Sequence, residues 1–413
     1  MGETAITFSV ATADVNDEYL DEIIELQQSQ VQQQLFRTTT LSTFWCHQIV
    51  SYPLIEKALE ILIPFRWIPL MASARGDNET LVTEFILLGF GNVPDLQILF
   101  FLLFLAIYIV TMAGNILIIV LLVADRHLHT PMYFFLGNLS CLETCYTSTL
   151  LPRELASLLT KTNEISFSGC FMQLYVFAFL TGVECYLLSV MSYDRYLAIC
   201  KPLHYGTLMN DRLCLQLAAG SWLIGFLASS IITSFASRLI FCGPNEIDHF
   251  FCDFTPIVKL SCSDTRLVTL LDIILSSVFT LPPFLLTLAS YVSIISTILR
   301  IPSTTGRQKA FSTCSSHLIV VTIFYGTLMS IYLLPNTNRL RDLHKFFSLS
   351  YTVLTPMINP LIYSLRNKAV REALRKGMDP SSRAPVTRGG LSRTQSQQLR
   401  LVAQVWRRPY NGS

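Results

Sequence analysis

Seven stretches of this chain are long and apolar enough to cross a lipid bilayer, and this limits the fold before any motif is considered. A hydrocarbon core about 30 Å thick needs ~20 apolar residues at 1.5 Å rise each. The stretches run near 97–123, 132–154, 168–194, 213–236, 267–298, 309–334 and 345–365. The first is the cleanest, with no charge from Ile98 to Ala124. The third, fifth and sixth carry polar residues and are less evident from hydropathy alone. The reading is an all-α membrane protein, a seven-transmembrane helix bundle. Composition agrees: 14% of the residues are charged and 51% hydrophobic, against roughly 25% charged in soluble domains. A net charge of +2 is too small to suggest nucleic acid. No Gly-rich phosphate loop, H-E-x-x-H motif or catalytic constellation is present, so no enzyme is expected.

Basic residues mark one side of the membrane. Arg126 follows the first span, Lys201 and Arg212 the third, and Arg300, Arg307 and Lys309 the fifth. Arg366, Lys368, Arg371, Arg375 and Lys376 follow the seventh. The opposite links are mixed or acidic, with Glu246, Asp248 and Asp253 in the longest. The N-terminus is therefore expected outside and the C-terminus inside.

The ends fit this plan poorly. Residues 1–70 are acidic, then Gln-rich from Gln27 to Gln34. Their one apolar stretch, Ile49–Leu70, is broken by Pro53, Pro64, Pro69, Glu56, Lys57 and Glu60. It makes neither a spanning helix nor a signal peptide. The expectation is a disordered extension or a mispredicted start, with translation beginning at Met71. Residues 71–96 then form an extracellular lead, 366–378 a short cytoplasmic amphipathic helix, and 379–413 a disordered cytoplasmic tail rich in Ser, Arg and Gln. Asn78-Glu79-Thr80 is a glycosylation acceptor on the outer side of the first span.

Several polar residues fall where hydrocarbon makes them costly, which marks them as functional or paired. Asp194 and Arg195 end the third span. Glu143 and Glu184 lie inside the second and third. Unpaired anions there would be very expensive, so they are either protonated or share a cation, with Asn115 and Asn359 able to add oxygens. Pro360 removes a backbone donor and bends the seventh span, with Asn359 and Tyr363 beside the weak point. Cys170, Cys242, Cys252 and Cys262 fall on the outer side, where disulfides persist, and four cysteines allow three pairings. Cys141, Cys145, Cys185, Cys200, Cys214 and Cys314 lie in helices or on the inner face and are expected as thiols.

Five motifs, in order and on matching spans, carry a family resemblance. Leu128-His129-Thr130-Pro131-Met132-Tyr133 opens the second span, and Met191-Ser192-Tyr193-Asp194-Arg195-Tyr196-Leu197-Ala198-Ile199-Cys200-Lys201-Pro202-Leu203 closes the third. Ser290-Tyr291 lies in the fifth. Lys309-Ala310-Phe311-Ser312-Thr313-Cys314-Ser315-Ser316-His317 opens the sixth, and Pro356-Met357-Ile358-Asn359-Pro360-Leu361-Ile362-Tyr363 ends the seventh. From about Asn78 to Gly377 the chain resembles an odorant receptor of the rhodopsin-like G-protein-coupled family. Ser192 stands where that family more often has Ala, and Glu143 where it more often has Asp.

The resemblance implies a switch in which Asp194 holds Arg195 at rest and its release opens a cleft for the G protein. Tyr196, Tyr291, His317, Asn359, Pro360 and Tyr363 belong to the same machinery, with His317 a candidate partner in the restraint. A sodium ion among Glu143, Glu184, Asn115 and Asn359 is implied, and no other cofactor. Disulfides Cys170–Cys252 and Cys242–Cys262 are implied for the outer loop. The ligand site is expected in the outer half, walled by Phe177, Ala178, Thr181 and Gly182, by Ser276 and Phe279, by Tyr325, Leu328, Met329 and Tyr332, and by Thr352. Amine receptors of the wider family have Asp where Phe177 stands. A mostly apolar wall with scattered hydroxyls suits small, neutral, volatile molecules. The implied function is an odorant receptor of the plasma membrane, in olfactory cilia, that raises cAMP through a stimulatory G protein of the olfactory type. Its alternatives are the same receptor sensing a metabolite outside the nose, and a seven-helix transporter or channel, which would need paired repeats that the sequence lacks.

Overall fold

The computed structural model describes residues 82–89, 96–125, 128–160, 162–333, 341–366 and 370–372. The expected extension 1–70, Asn78, the tail 379–413 and nearly all of the helix expected over 366–378 lie outside them. Elements α1 (Gln97–Ala124), α2 (Pro131–Thr160), α3 (Phe167–Cys200), the short α4 (Tyr205–Leu208), α5 (Asp211–Ala236), the loop helix α6 (Phe254–Lys259), α7 (Arg266–Arg300) and α8 (Thr304–Leu333) follow in order. The seventh span is built in three parts: α9 (Arg341–Leu349), a π turn over Ser350–Leu354, and α10 (Thr355–Arg366). Strands β1 (Glu84–Leu87), β2 (Glu164–Ser166) and β3 (Glu246–Ile247) add a small sheet at one end.

α1 shows why these segments are helices in a bundle. Its buried residues are Phe104, Ile107, Thr111, Asn115, Ile118 and Leu122. They recur every three or four positions, a single stripe on a helix of 3.6 residues per turn. The rest of its surface is apolar and exposed, Ile98, Leu102 and Val120 among it, as a face toward lipid requires. Hydrophobicity does not drive helix pairing in lipid, so close packing must. Gly225 of α5 meets α3 this way: a Cβ there would stand 2.7 Å from Val183 Cγ2 and 2.8 Å from the Phe179 carbonyl. Gly114 of α1 abuts Pro360 of α10, 3.0 Å from where its Cβ would be to the proline Cβ.

Among the described residues, five helices are by themselves long and apolar enough to cross a membrane: α1, α3, α5, α7 and the Cys314–Ile331 part of α8. The second span contains Glu143, Arg153 and Glu154, and the seventh is divided by its π turn. α3 is the axis of the bundle, buried along most of its length and packed against α2, α5 and α7. Side chains cross-link it: the Tyr325 hydroxyl of α8 donates to the Cys185 carbonyl at 3.1 Å. Elsewhere Trp222 Nε1 of α5 donates to Asn138 Oδ1 of α2 at 3.3 Å.

The sheet is the addition to an all-α plan. Its order is β2-β1-β3, with β1 antiparallel to β2 and parallel to β3. It ties the lead before α1 to the α2–α3 link and to the long loop after α5. Two disulfides close the same end, Cys170–Cys252 and Cys242–Cys262, with Cα separations of 5.4 and 6.0 Å. Of the cysteines expected as thiols, Cys185, Cys200, Cys214 and Cys314 are thiols, whereas Cys145 is disulfide-bonded. Lys345 of α9 completes the closure, donating to the Gly89 carbonyl at 2.8 Å and pairing with Asp248 Oδ1 at 2.7 Å.

On a chain-entropy account, Cys170–Cys252 closes a span of 82 residues and stabilises more than Cys242–Cys262, which closes 20; native disulfides typically contribute ~2–4 kcal/mol. Cys170→Ser and Cys252→Ser are therefore expected to lower surface delivery about equally, and more than Cys262→Ser. Surface labelling measures the first point, and non-reducing peptide mapping the pairing. A peptide linking Cys170 to Cys242 or Cys262 would show the connectivity to be wrong.

Candidate functional site

The bundle holds two groups of polar side chains, one at the end away from the sheet and one in its middle. At the far end, Asp194 is wholly buried and forms an ion pair with its neighbour Arg195. The Arg195 Nε–Asp194 Oδ2 distance is 3.0 Å. The other carboxylate oxygen accepts from the Tyr205 hydroxyl at 2.8 Å. Tyr205 begins α4, in the link that follows the third span, so that link is fastened to the ion pair. A buried carboxylate with both oxygens engaged meets the cost of leaving water. Tyr196 lies beside it, its ring stacked on Tyr193 with centroids 6.2 Å apart and Lys201 Nζ 5.9 Å from its own.

Tyr291 and His317 join α7 to α8. The Tyr291 hydroxyl and His317 Nδ1 are 2.7 Å apart, and the rings stack at 5.9 Å. His317 is therefore bonded to Tyr291 and not to the ion pair, although the charge of Arg195 reaches both rings and Tyr363. His317 Nε2 and the Tyr363 hydroxyl are buried with no hydrogen-bond partner among the described residues.

In the middle, Asn359 Nδ2 of α10 donates to Glu143 Oε1 of α2. Asn115 Nδ2 of α1 donates to the Thr111 and Pro356 carbonyls at 3.1 and 3.3 Å. Glu143 and Glu184 are buried and act on each other electrostatically. Glu143 Oε2, Glu184 Oε1 and Asn115 Oδ1 have no partner among the described residues. Three orphaned oxygens, two of them from carboxyls, are a donor set a hard cation accepts. Asn359 is tied to the same group, its amide nitrogen donating to Glu143.

Toward the sheet, the expected ligand wall is partly assembled. Phe177 is 7% exposed, with its ring 5.6 Å from Tyr146, 4.8 Å from Phe251 and 5.7 Å from Tyr351. Ala178 and Thr181 are partly buried beside it, and the Thr181 hydroxyl donates to the Phe177 carbonyl at 2.9 Å. Gly182 instead serves packing, because its Cβ would lie 3.3 Å from Gly225 Cα. Ser276 donates to Asp272 Oδ1 at 3.4 Å. Phe279 and Met329 are partly buried, and Tyr325 and Leu328 buried. The Thr352 hydroxyl, buried in the π turn, is spent on the Ser348 carbonyl at 2.7 Å. The side chain of Tyr332 lies outside the described residues.

The long loop covers this region. Cys252 N donates to Gln173 Oε1 of α3 at 3.0 Å. His249 is buried against Phe250 and Phe251. Burial, and then the Lys345 ammonium, push its imidazole down to about 3, so it is neutral at physiological pH. Burial raises the Asp253 carboxyl to about 6, against the pull of its bond from Phe254 N.

Tyr205, Tyr146, Tyr351, Gln173 and Lys345 were not among the expected site residues. Tyr205 opens a one-turn helix too short to show periodicity, and Tyr351 is buried in the π turn, which breaks helical spacing. Tyr146 lay within a helix already read for its carboxylate.

A membrane helix bundle with buried polar side chains linking its helices is the architecture of a seven-helix receptor. Comparison with known proteins makes the class specific. The olfactory receptor family model matches residues 104–379. Human olfactory receptor 10A7 is 52% identical over 300 residues, covering 73% of this chain and 95% of the relative. Human olfactory receptor 6N1 is 50% identical over 299 residues (72% and 96%), and mouse olfactory receptor 6Z7 50% over 301 (73% and 96%). The chain belongs to the olfactory receptor family. It is a multi-pass membrane protein and not an enzyme.

Proposed function

We propose that this receptor binds small, volatile, mostly apolar odorants beneath the sheet and activates a stimulatory G protein of the olfactory type, raising cAMP. The observation that carries the reading is the buried Asp194–Arg195 pair fastened by Tyr205. It holds the Arg195 guanidinium near the end of the central helix by contacts that a small helix movement would break. The sheet end is the outer one, since its disulfides require an oxidising compartment and the basic links lie at the other end. Asn78 then carries a glycan outside, and the receptor resides in the plasma membrane of olfactory cilia.

Arg195 would be the group that meets the G protein once Asp194 releases it. Tyr291, His317 and Tyr363 lie within reach of its charge and would take new partners as it moves. Asn359 and Pro360 connect this movement to Glu143 in the middle of the bundle. Glu143, Glu184 and Asn115 would hold a sodium ion, which would neutralise the two carboxylates and favour the resting arrangement. The phenylalanine at 177 supplies an apolar wall and no counter-ion for an amine.

Arg195→Ala is expected to abolish odorant-evoked cAMP while leaving surface expression intact; normal signalling by the variant would defeat the assignment. If sodium favours the resting state, it must also oppose activation by linkage. Replacing external sodium with an organic cation should then raise basal or evoked signalling in the wild type and have little effect in Glu143→Gln. Identical sodium dependence in the two proteins would count against the site.

A further inference from the structure

The long outer loop is fixed to the bundle in two different ways. On the α3 side the attachment is covalent, through Cys170–Cys252, and Cys252 N adds its bond to Gln173. On the side of the seventh span it is ionic. The Lys345 ammonium of α9 pairs with Asp248 Oδ1 at 2.7 Å and donates to the Gly89 carbonyl at 2.8 Å. Lys345 is 9% exposed, and a cation held that far from water needs such acceptors.

Gly89 is shaped for this contact. Its φ of +57° lies in the left-handed region that glycine adopts without steric cost. Its N–H donates to the His249 carbonyl at 3.2 Å while its own carbonyl accepts from Lys345. Leu88 N donates to the Ile247 carbonyl at 2.9 Å. The lead and loop residues 247–249 are therefore joined through their backbones, and Lys345 holds both partners. Between Asp248 and Cys252 lie His249, Phe250 and Phe251, all buried. The Phe251 ring stands 4.8 Å from that of Phe177. Residues 248–252 are a short strap over Phe177, with a disulfide at one end and an ion pair at the other. Movement cannot release the first but can release the second. α9, which carries Lys345, is divided from α10 by the π turn.

We propose that Lys345 is a releasable latch. Breaking its bonds to Asp248 and Gly89 lets the strap swing about Cys252, lifts Phe251 from Phe177 and opens the odorant site to the outside. The identity of what enters rests on the odorant-receptor reading; the latch itself does not.

The test uses the full-length receptor on intact cells. Thr352, 1% exposed and next to Tyr351, whose ring lies 5.7 Å from that of Phe177, is replaced by cysteine as a reporter of the covered wall. Its reaction with a membrane-impermeant thiol reagent is timed per surface receptor, with the receptor lacking Thr352→Cys as background. Lys345→Met keeps the length of the side chain and loses its charge and donors. Labelling is expected to quicken about tenfold, as loss of hydrogen bonds from a charged donor implies; water around Asp248, 35% exposed, limits the gain. Asp248→Asn is expected to quicken labelling less, because the Gly89 bond remains, and to add nothing in the Lys345→Met background. Lys345→Arg, still a cationic donor, is expected to stay near wild type. Unchanged labelling in whichever of Lys345→Met and Asp248→Asn reach the surface overturns the latch, since the disulfide and packing alone then hold the strap. Effects of the two substitutions that multiply independently overturn it too, because they report general loosening. Saturating odorant, bound beneath the strap, should slow labelling in every variant. A rate that follows Lys345 but answers to no odorant overturns the odorant-receptor reading and leaves the latch standing.

Discussion

Hydrocarbon gives an unpaired polar group nowhere to go, and the rest of this structure follows from that constraint. It forces the backbone into helices, whose hydrogen bonds are internal. It also means that each buried polar side chain must find a partner, in its own helix or on a neighbour. Several here are satisfied within their own helix, as Thr111, Thr147 and Ser192 are by donating to a carbonyl four residues back. Others cross between helices, among them Asp194 with Tyr205, Tyr291 with His317, Glu143 with Asn359, and Tyr325 with Cys185. These few contacts are the ones a change in helix packing can make or break.

α3 connects the two ends on which function depends. Near its start, Cys170 holds the long loop by a disulfide and Gln173 accepts from its backbone. One turn further, Phe177 meets that loop, α2 and the seventh span. Near its end stand Asp194 and Arg195. A ligand that moves Phe177 acts on the same rigid helix that carries the ion pair, and Glu184 lies between them facing Glu143. Gly225 lets α5 sit tightly against this helix.

How much of this could be read from the sequence depended on range. Spans were legible because an apolar stripe is local: α1 occupies Gln97–Ala124 where hydropathy places 97–123. Helices extend beyond the apolar run, so α2 continues to Thr160 and α3 to Cys200. Asp194, Arg195 and Glu143 stood out because charge in an apolar run is costly wherever it points. Partners were not legible, since Tyr205 and Gln173 earn their roles only through distant contacts. The π turn and the three-stranded sheet were also invisible: the first breaks helical spacing, and the second joins segments of two to four residues too short to show alternation. Gly182, read from spacing as a ligand contact, is taken by α5.

The central claim is that the pairing of Asp194 with Arg195 and Tyr205 holds the receptor at rest. Ligand-independent cAMP in cells expressing Asp194→Asn, compared with wild type at equal surface density, tests it most directly. Asparagine keeps the size and can still accept from Tyr205, but it removes the charge that restrains Arg195. The account predicts basal cAMP clearly above wild type. Basal signalling at or below the wild-type level, from receptor present at the surface and still responsive to odorant, would contradict it.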